Sequence, residues 1–233
     1  VLDLGRYFSG HGEYDTTGTL ALRKEAFMRI ARIVRDLPEV EYFSISGSNA
    51  FPNAGGFYGD AFFADTTQAA KEKGMHVQWT QNCCDEGSQF FLTYGMKDAR
   101  NGKDIIVPVD AADRELCFIP ADMAKKLYGT VEVVGKKIFF AEGAQSAEIA
   151  GVFEDYKHRD YNQPYPFAVR FPKGLVSIFG NLEYAIVFCL KDGVDAKGFE
   201  SRFMKEVAPQ LKQGNYYLNR LRTFEEVGES FAK

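Results

Sequence analysis

Apolar positions near the start of the chain recur first with a helical period and then with a strand period. Phe27, Ile30, Ala31, Val34 and Leu37 fall at steps of three and four, one stripe of a helix predicted over Thr19 to Leu37. Thr17 or Thr19 supplies a capping hydroxyl at its start, and Pro38 stops it. Val40 to Ser46 reads as a strand with Phe43 and Ile45 on one face, and Val1 to Tyr7 as a strand before the helix. The result is a β-α-β unit. The other end repeats the pattern without repeating the sequence. Tyr184 to Leu190 is an apolar strand-like run closed by a turn at Lys191-Asp192-Gly193. A helix from about Asp195 carries Phe199, Phe203, Val207 and Leu211 at steps of four, with Pro209 expected to kink or shorten it. Tyr216 to Arg222 is the closing strand.

The glycine-rich span Gly47 to Gly59 reads as a loop leaving the first unit. Beyond it the pattern predicts short strands at Gln89 to Tyr94, Ile105 to Val109, Leu116 to Ile119, Val131 to Val134, Lys137 to Phe140 and Ala147 to Phe153. One short helix, Ala121 to Tyr128, interrupts them, with Gly129 as its C-cap. The expected class is α+β, with β-α-β units in 1–50 and 180–233 around a strand-rich insert in 51–179.

Composition narrows the partners. The 233 residues carry a net charge of −4 with no Lys/Arg block, which argues against nucleic acid and against a polybasic membrane patch. The 21 Phe and 12 Tyr have no basic residues interleaved, so they read as strand packing. No apolar run approaches the ~20 residues of a bilayer-spanning helix. A chain beginning at Val1 reads as a processed or truncated piece.

Candidate chemistry is sparse. His11, His76 and His158 are isolated, and Cys83, Cys84, Cys117 and Cys189 lack zinc-ligand spacing. A bridge from Cys83 or Cys84 to Cys117 is one option in an oxidising compartment; buried free thiols at Cys117 and Cys189 are the other. In Cys83-Cys84-Asp85-Glu86 the acidic neighbours push a thiol pKa up, the wrong direction for a nucleophile. No Gly-rich phosphate loop and no GxSxG elbow occurs. No catalytic, cofactor-binding or metal-binding residue is therefore expected. Phe57 and Tyr58, in Gly55-Gly56-Phe57-Tyr58-Gly59, form a candidate partner-contact loop unless they fold back onto the core.

Ordered blocks across most of the chain resemble one family. Leu116 to Gly129 is similar to the "strand, short helix, Phe/Tyr-Gly" segment of MacB-like periplasmic core domains of FtsX-type ABC-transporter permeases. Val134 to Ile138 resembles that family's "GK.I" strand, Ala147 to Tyr156 its "ViGVv.Df" strand, and Arg159 to Pro166 the loop that follows. Gln89 to Met96 is similar to its "yF...gi" strand, and Leu37-Pro38-Glu39-Val40 to its "lPgVe" turn. Lys97 to Lys103 stands where the family shows a Gly-Arg pair, so no role passes to Arg100.

The resemblance implies a porter-like subdomain built from the two terminal units and a sabre-like insert. It also implies a periplasmic position at the inner membrane, with flanking transmembrane helices and chain ends close together. The implied partners are a cytoplasmic ATPase and an adaptor or cargo protein, in a dimeric transporter. The domain would then be a non-catalytic coupling module. The alternative, a free-standing secreted or periplasmic enzyme or ligand-binding protein, predicts an apolar pocket with converging polar groups.

Overall fold

The computed structural model describes residues 2–6, 18–47, 58–83, 88–155, 167–173, 184–211, 216–221 and 223. Among them β1 (Leu2–Arg6), α1 (Gly18–Arg35) and β2 (Val40–Gly47) form the first unit. β9 (Tyr184–Leu190), α5 (Ala196–Leu211) and β10 (Tyr216–Leu221) form the last. The strands of the two units interleave in the order β10-β1-β9-β2, every neighbouring pair antiparallel. Each unit is thus a split β-α-β whose gap is filled by a strand of the other, the ferredoxin-like arrangement. Neither terminal unit is a complete sheet alone.

The predicted stripes are the buried ones. Phe27, Ile30, Ala31 and Val34 of α1 and Phe199, Phe203, Val207 and Leu211 of α5 pack on Phe43, Ile45 and Ile186, with Leu37 at the margin. α5 passes through Pro209 and ends two residues beyond it, at Leu211.

Between the units lie β3 (Tyr58–Phe62), α2 (Gln68–Glu72), β4 (Met75–Cys83), α3 (Phe90–Thr93), β5 (Leu116–Pro120), α4 (Ala121–Tyr128), β6 (Lys137–Phe140), β7 (Gln145–Phe153) and β8 (Phe167–Phe171). They pair in the order β3-β4-β8-β5-β7-β6. The ring then closes, because Phe63 and Phe139 exchange backbone hydrogen bonds of 2.8 and 3.0 Å just past the end of β3. Six strands therefore make a small barrel filled by side chains. Its interior holds Phe62, Val77, Cys117, Ile119, Ile138, Ile149 and Ala168. Gly151 sits where a Cβ would come within 2.7 Å of the Phe118 ring, so β7 accepts no larger residue there without displacing that ring.

Four sequence expectations change. Gln89–Tyr94 is not a strand: Phe90–Thr93 is a single helical turn, with the Phe90 and Tyr94 rings 4.5 Å apart one turn from each other. A short apolar run carries no period of its own, and here burial against two sheets selects the helix. Ile105–Val109 makes no strand ladder. Ile105 is buried, but Ile106 and Val109 are exposed and Pro108 offers no donor. Val131–Val134 keeps its alternation, with Val133 buried and Val134 exposed, but lies between Gly129 and the Gly135 turn with no partner strand among the described residues. Gly47–Gly59 is not loop throughout. Gly47 ends β2, while Tyr58 and Gly59 begin β3; residues 48–57 lie outside the described residues. β3, β4, β8 and α2 were not foreseen.

α3 joins the two bodies. Its Phe91 ring packs 4.6 Å from Phe118 and 5.8 Å from Phe153, while Ala185 and Val187 of β9 belong to the same cluster. Gln89 clamps the turn to β2, donating its N–H to Phe43 O (3.0 Å) and accepting from Phe43 N at Oε1 (3.1 Å). Phe91→Ala should cost about 3–5 kcal/mol, read as a lower urea midpoint. An unchanged midpoint would show that the cluster does not hold the fold. Just beyond α3, Asp98 is buried and its carboxylate takes Arg100 Nε at 2.9 Å and Nη2 at 2.6 Å. The Arg100 hydrogen bond is the main cause holding the Asp98 carboxyl below its ordinary range. Its stabilisation is present above the unfolded-state pKa and is lost as pH falls through the depressed folded value. Asp98→Asn should therefore cost about 2 kcal/mol at neutral pH and flatten the acid limb of a stability-versus-pH curve.

Candidate functional site

The two mouths of the barrel differ. β5 and β7 are parallel, and α4 leaves the C-terminal end of β5, where Asp122 N donates to Asp155 Oδ1 just past β7. Met123 and Ala124 of α4 join the interior there. At the opposite end the strands begin or finish around an open recess of about 640 Å³. Asp60 enters it from β3, Trp79 from β4, Phe140 from β6, Ser146 from β7 and Arg170 from β8.

Arg170 sits in a fully buried run, Phe167-Ala168-Val169-Arg170-Phe171. Strand alternation sends the residues on either side of it into the α3 cluster and sends Ala168 and Arg170 toward the barrel interior. Its guanidinium lies 4.0 Å from the Phe140 ring centroid and 4.8 Å from that of Trp79. Stacking between two rings suits a planar, weakly hydrated cation. The side chain is 8% exposed and its hydrogen bonding is thin. Nη2 donates to Glu115 Oε1 at 3.2 Å, and the buried Nε has no partner. An unsatisfied buried donor costs about 1–3 kcal/mol.

The two carboxylates at the rim are largely committed to the backbone. Asp60 accepts from Ala61 N at 2.8 Å and Ala141 N at 2.9 Å, and Glu115 Oε2 accepts from Lys173 N at 2.8 Å. The Asp60 bond holds a strained turn, since Ala141 (φ 50°) and Glu142 (φ 57°) both occupy the left-handed region. Such strain at non-glycine residues gathers where a precise surface is required.

Of the sequence candidates, Tyr58 opens β3 opposite Trp79 in register, so its backbone is paired strand. Phe57, Cys84, His11 and His158 lie outside the described residues, as does the side chain of Cys83. His76 is exposed on β4, with Nδ1 donating to Asp60 O at 3.1 Å. Cys117 is a buried free thiol and Cys189 a half-buried one, so the proposed bridge to Cys117 is not formed. Sequence reasoning missed the recess. The available signal was one arginine inside an apolar run, an arrangement that demands a partner or a purpose.

No family model and no curated protein matches the chain. Solved structures that share its fold include three domains of membrane transporters or permeases. The periplasmic region of MacB from Actinobacillus actinomycetemcomitans is 10% identical with TM-score 0.56, over 88% of this chain and 82% of that one. The extracellular domain of the noncanonic ABC-type transporter YknZ from Gram-positive bacteria is 14% identical with TM-score 0.52, over 94% and 99%. A domain described as that of a permease protein from Porphyromonas gingivalis is 19% identical with TM-score 0.51, over 82% of each chain. At these identities the likeness establishes the fold, and the fold is that of a MacB-like periplasmic domain.

Burial pushes the Cys117 thiol up to about 12. The thiolate is the reactive form. At pH 8 Cys117 should remain unlabelled by a water-soluble maleimide in the folded protein and react when urea unfolds it. Labelling in the folded state at the free-thiol rate would show that the barrel interior opens.

Proposed function

We propose that this chain is the extracytoplasmic domain of an ABC-transporter permease, carried between membrane helices, and that it couples ATP hydrolysis in the cytoplasm to a partner or cargo outside without catalysing a reaction. The fold likeness, running over most of the chain and most of each neighbour, carries the reading. Chain geometry supports it. Leu2 pairs with Leu221 on adjacent strands, so the points where the chain comes into the fold and goes out lie side by side, as two helices leaving one membrane require. On this reading the residues of 1–50 and 180–233 make the membrane-proximal body and those of 51–179 the distal one. On the same reading Phe57 and Tyr58, near the start of the 51–179 insert in sequence, serve as partner contacts.

The test has two parts. The native gene should encode apolar spans of about 20 residues on both sides of this segment; a gene encoding only a soluble product would sink the proposal. In vesicles containing the full transporter and its ATPase, a disulfide between cysteines placed at Leu2 and Leu221 should leave ATP hydrolysis near its starting rate. A disulfide tying the two bodies, between cysteines placed at Ser46 of β2 and Asn82 of β4, which face each other in register, should uncouple that hydrolysis from cargo movement. Unchanged cargo movement with the second lock would remove the coupling role.

A further inference from the structure

We propose that the barrel-mouth recess binds an organic carboxylate with an apolar body, received by the guanidinium of Arg170. A guanidinium offers five N–H donors in a planar fork that matches a carboxylate. Here one donor reaches Glu115 Oε1, at 3.2 Å, and Nε has no partner although it is buried. The cation is therefore held, by Trp79 and Phe140, more firmly than it is neutralised. Its surroundings select the class of anion. Asp60 and Glu115 share the recess with Arg170 and Lys173, so the formal charge of these four cancels. A single negative charge fits that balance better than phosphate, which brings up to two and meets both carboxylates. Trp79, Phe140, Ala141 and Pro172 supply apolar wall for the rest of the molecule. The carboxylate can belong to a free small acid or to the C-terminus of a polypeptide. The proposal stands on the recess and does not depend on the transporter reading.

Trp79 is the chain's one tryptophan, so its fluorescence reports on this recess. The intact 233-residue chain would be titrated with N-acetyl-phenylalanine, with N-acetyl-phenylalaninamide, with inorganic phosphate, and with a pentapeptide ending in phenylalanine as the free acid or the amide. Saturable changes are expected with the acids, at least about tenfold weaker binding of the amides, and no competition by phosphate at equal concentration. A peptide acid that binds more tightly than the small acid identifies a polypeptide C-terminus as the source, and equal binding identifies a small acid. Arg170→Lys should weaken the acids about tenfold or more, because the fork is lost. Glu115→Gln, which removes the competing charge and keeps an acceptor for Lys173 N, should tighten them severalfold. The second variant decides the matter if the first does not fold. Amides binding as well as acids, phosphate displacing them, no saturable response to either acid, or an affinity unmoved by Glu115→Gln would each overturn the proposal.

Discussion

A single turn of helix fills the space between the two bodies of this protein. α3 is four residues long, far too short to be stable alone, and it forms because both faces are occupied. Phe90, Phe91 and Tyr94 fill the space between the barrel strands and β9, while Gln89 closes a two-way hydrogen-bond clamp on β2. The ferredoxin-like sheet has α1 and α5 on its other face. Without α3 the remaining face would expose Ala185 and Val187, and the outer barrel strands would expose Phe118, Phe167 and Phe171. Apolar surface on that scale is stable only when covered. Six of the chain's 21 Phe and one of its 12 Tyr lie in this cluster.

The barrel obeys a second constraint. Closing a ring of six short strands leaves no free edge, and it forces the residues of one mouth to converge. One end takes α4 as a plug and becomes part of the core. The other keeps a buried cation between two rings, two backbone-committed carboxylates and a strained turn. That mouth is polar within an otherwise apolar interior, and the cost is carried by the surrounding strands.

Elements specified by local period were legible from the residues. The stripes of α1 and α5, the run Tyr184–Leu190, and α4 with its glycine cap each announce themselves within a window of a dozen positions. Gln89–Tyr94 did not, since its helical state is chosen by two sheets that lie far away in sequence. In β4 the apolar Met75, Val77 and Trp79 alternate with His76, Gln78 and Thr80, a strand period present in the residues that went unread. Ring closure was hidden for a different reason. It depends on Phe63 meeting Phe139, a contact across 76 positions that no local pattern encodes. The interleaving of the two β-α-β units is equally non-local, which is why the units could be recognised from sequence while their shared sheet could not. Arg170 left a trace, but it is interpretable only once its rings and its unpaired nitrogen are seen.

β4 belongs to both bodies. Its first half is a barrel stave carrying Trp79, and its last two residues, Asn82 and Cys83, are laddered to Ser46 and Ile45 of β2. Tension along such a strand runs parallel to its neighbours and across its hydrogen bonds, so the bonds on each side are strained together and do not open one after another. A sideways peel would separate them singly. The protein is thus stiff to sliding of one body along β4 and compliant to tilting about the two-residue ladder at its end, which makes that ladder the natural axis for any rocking between them.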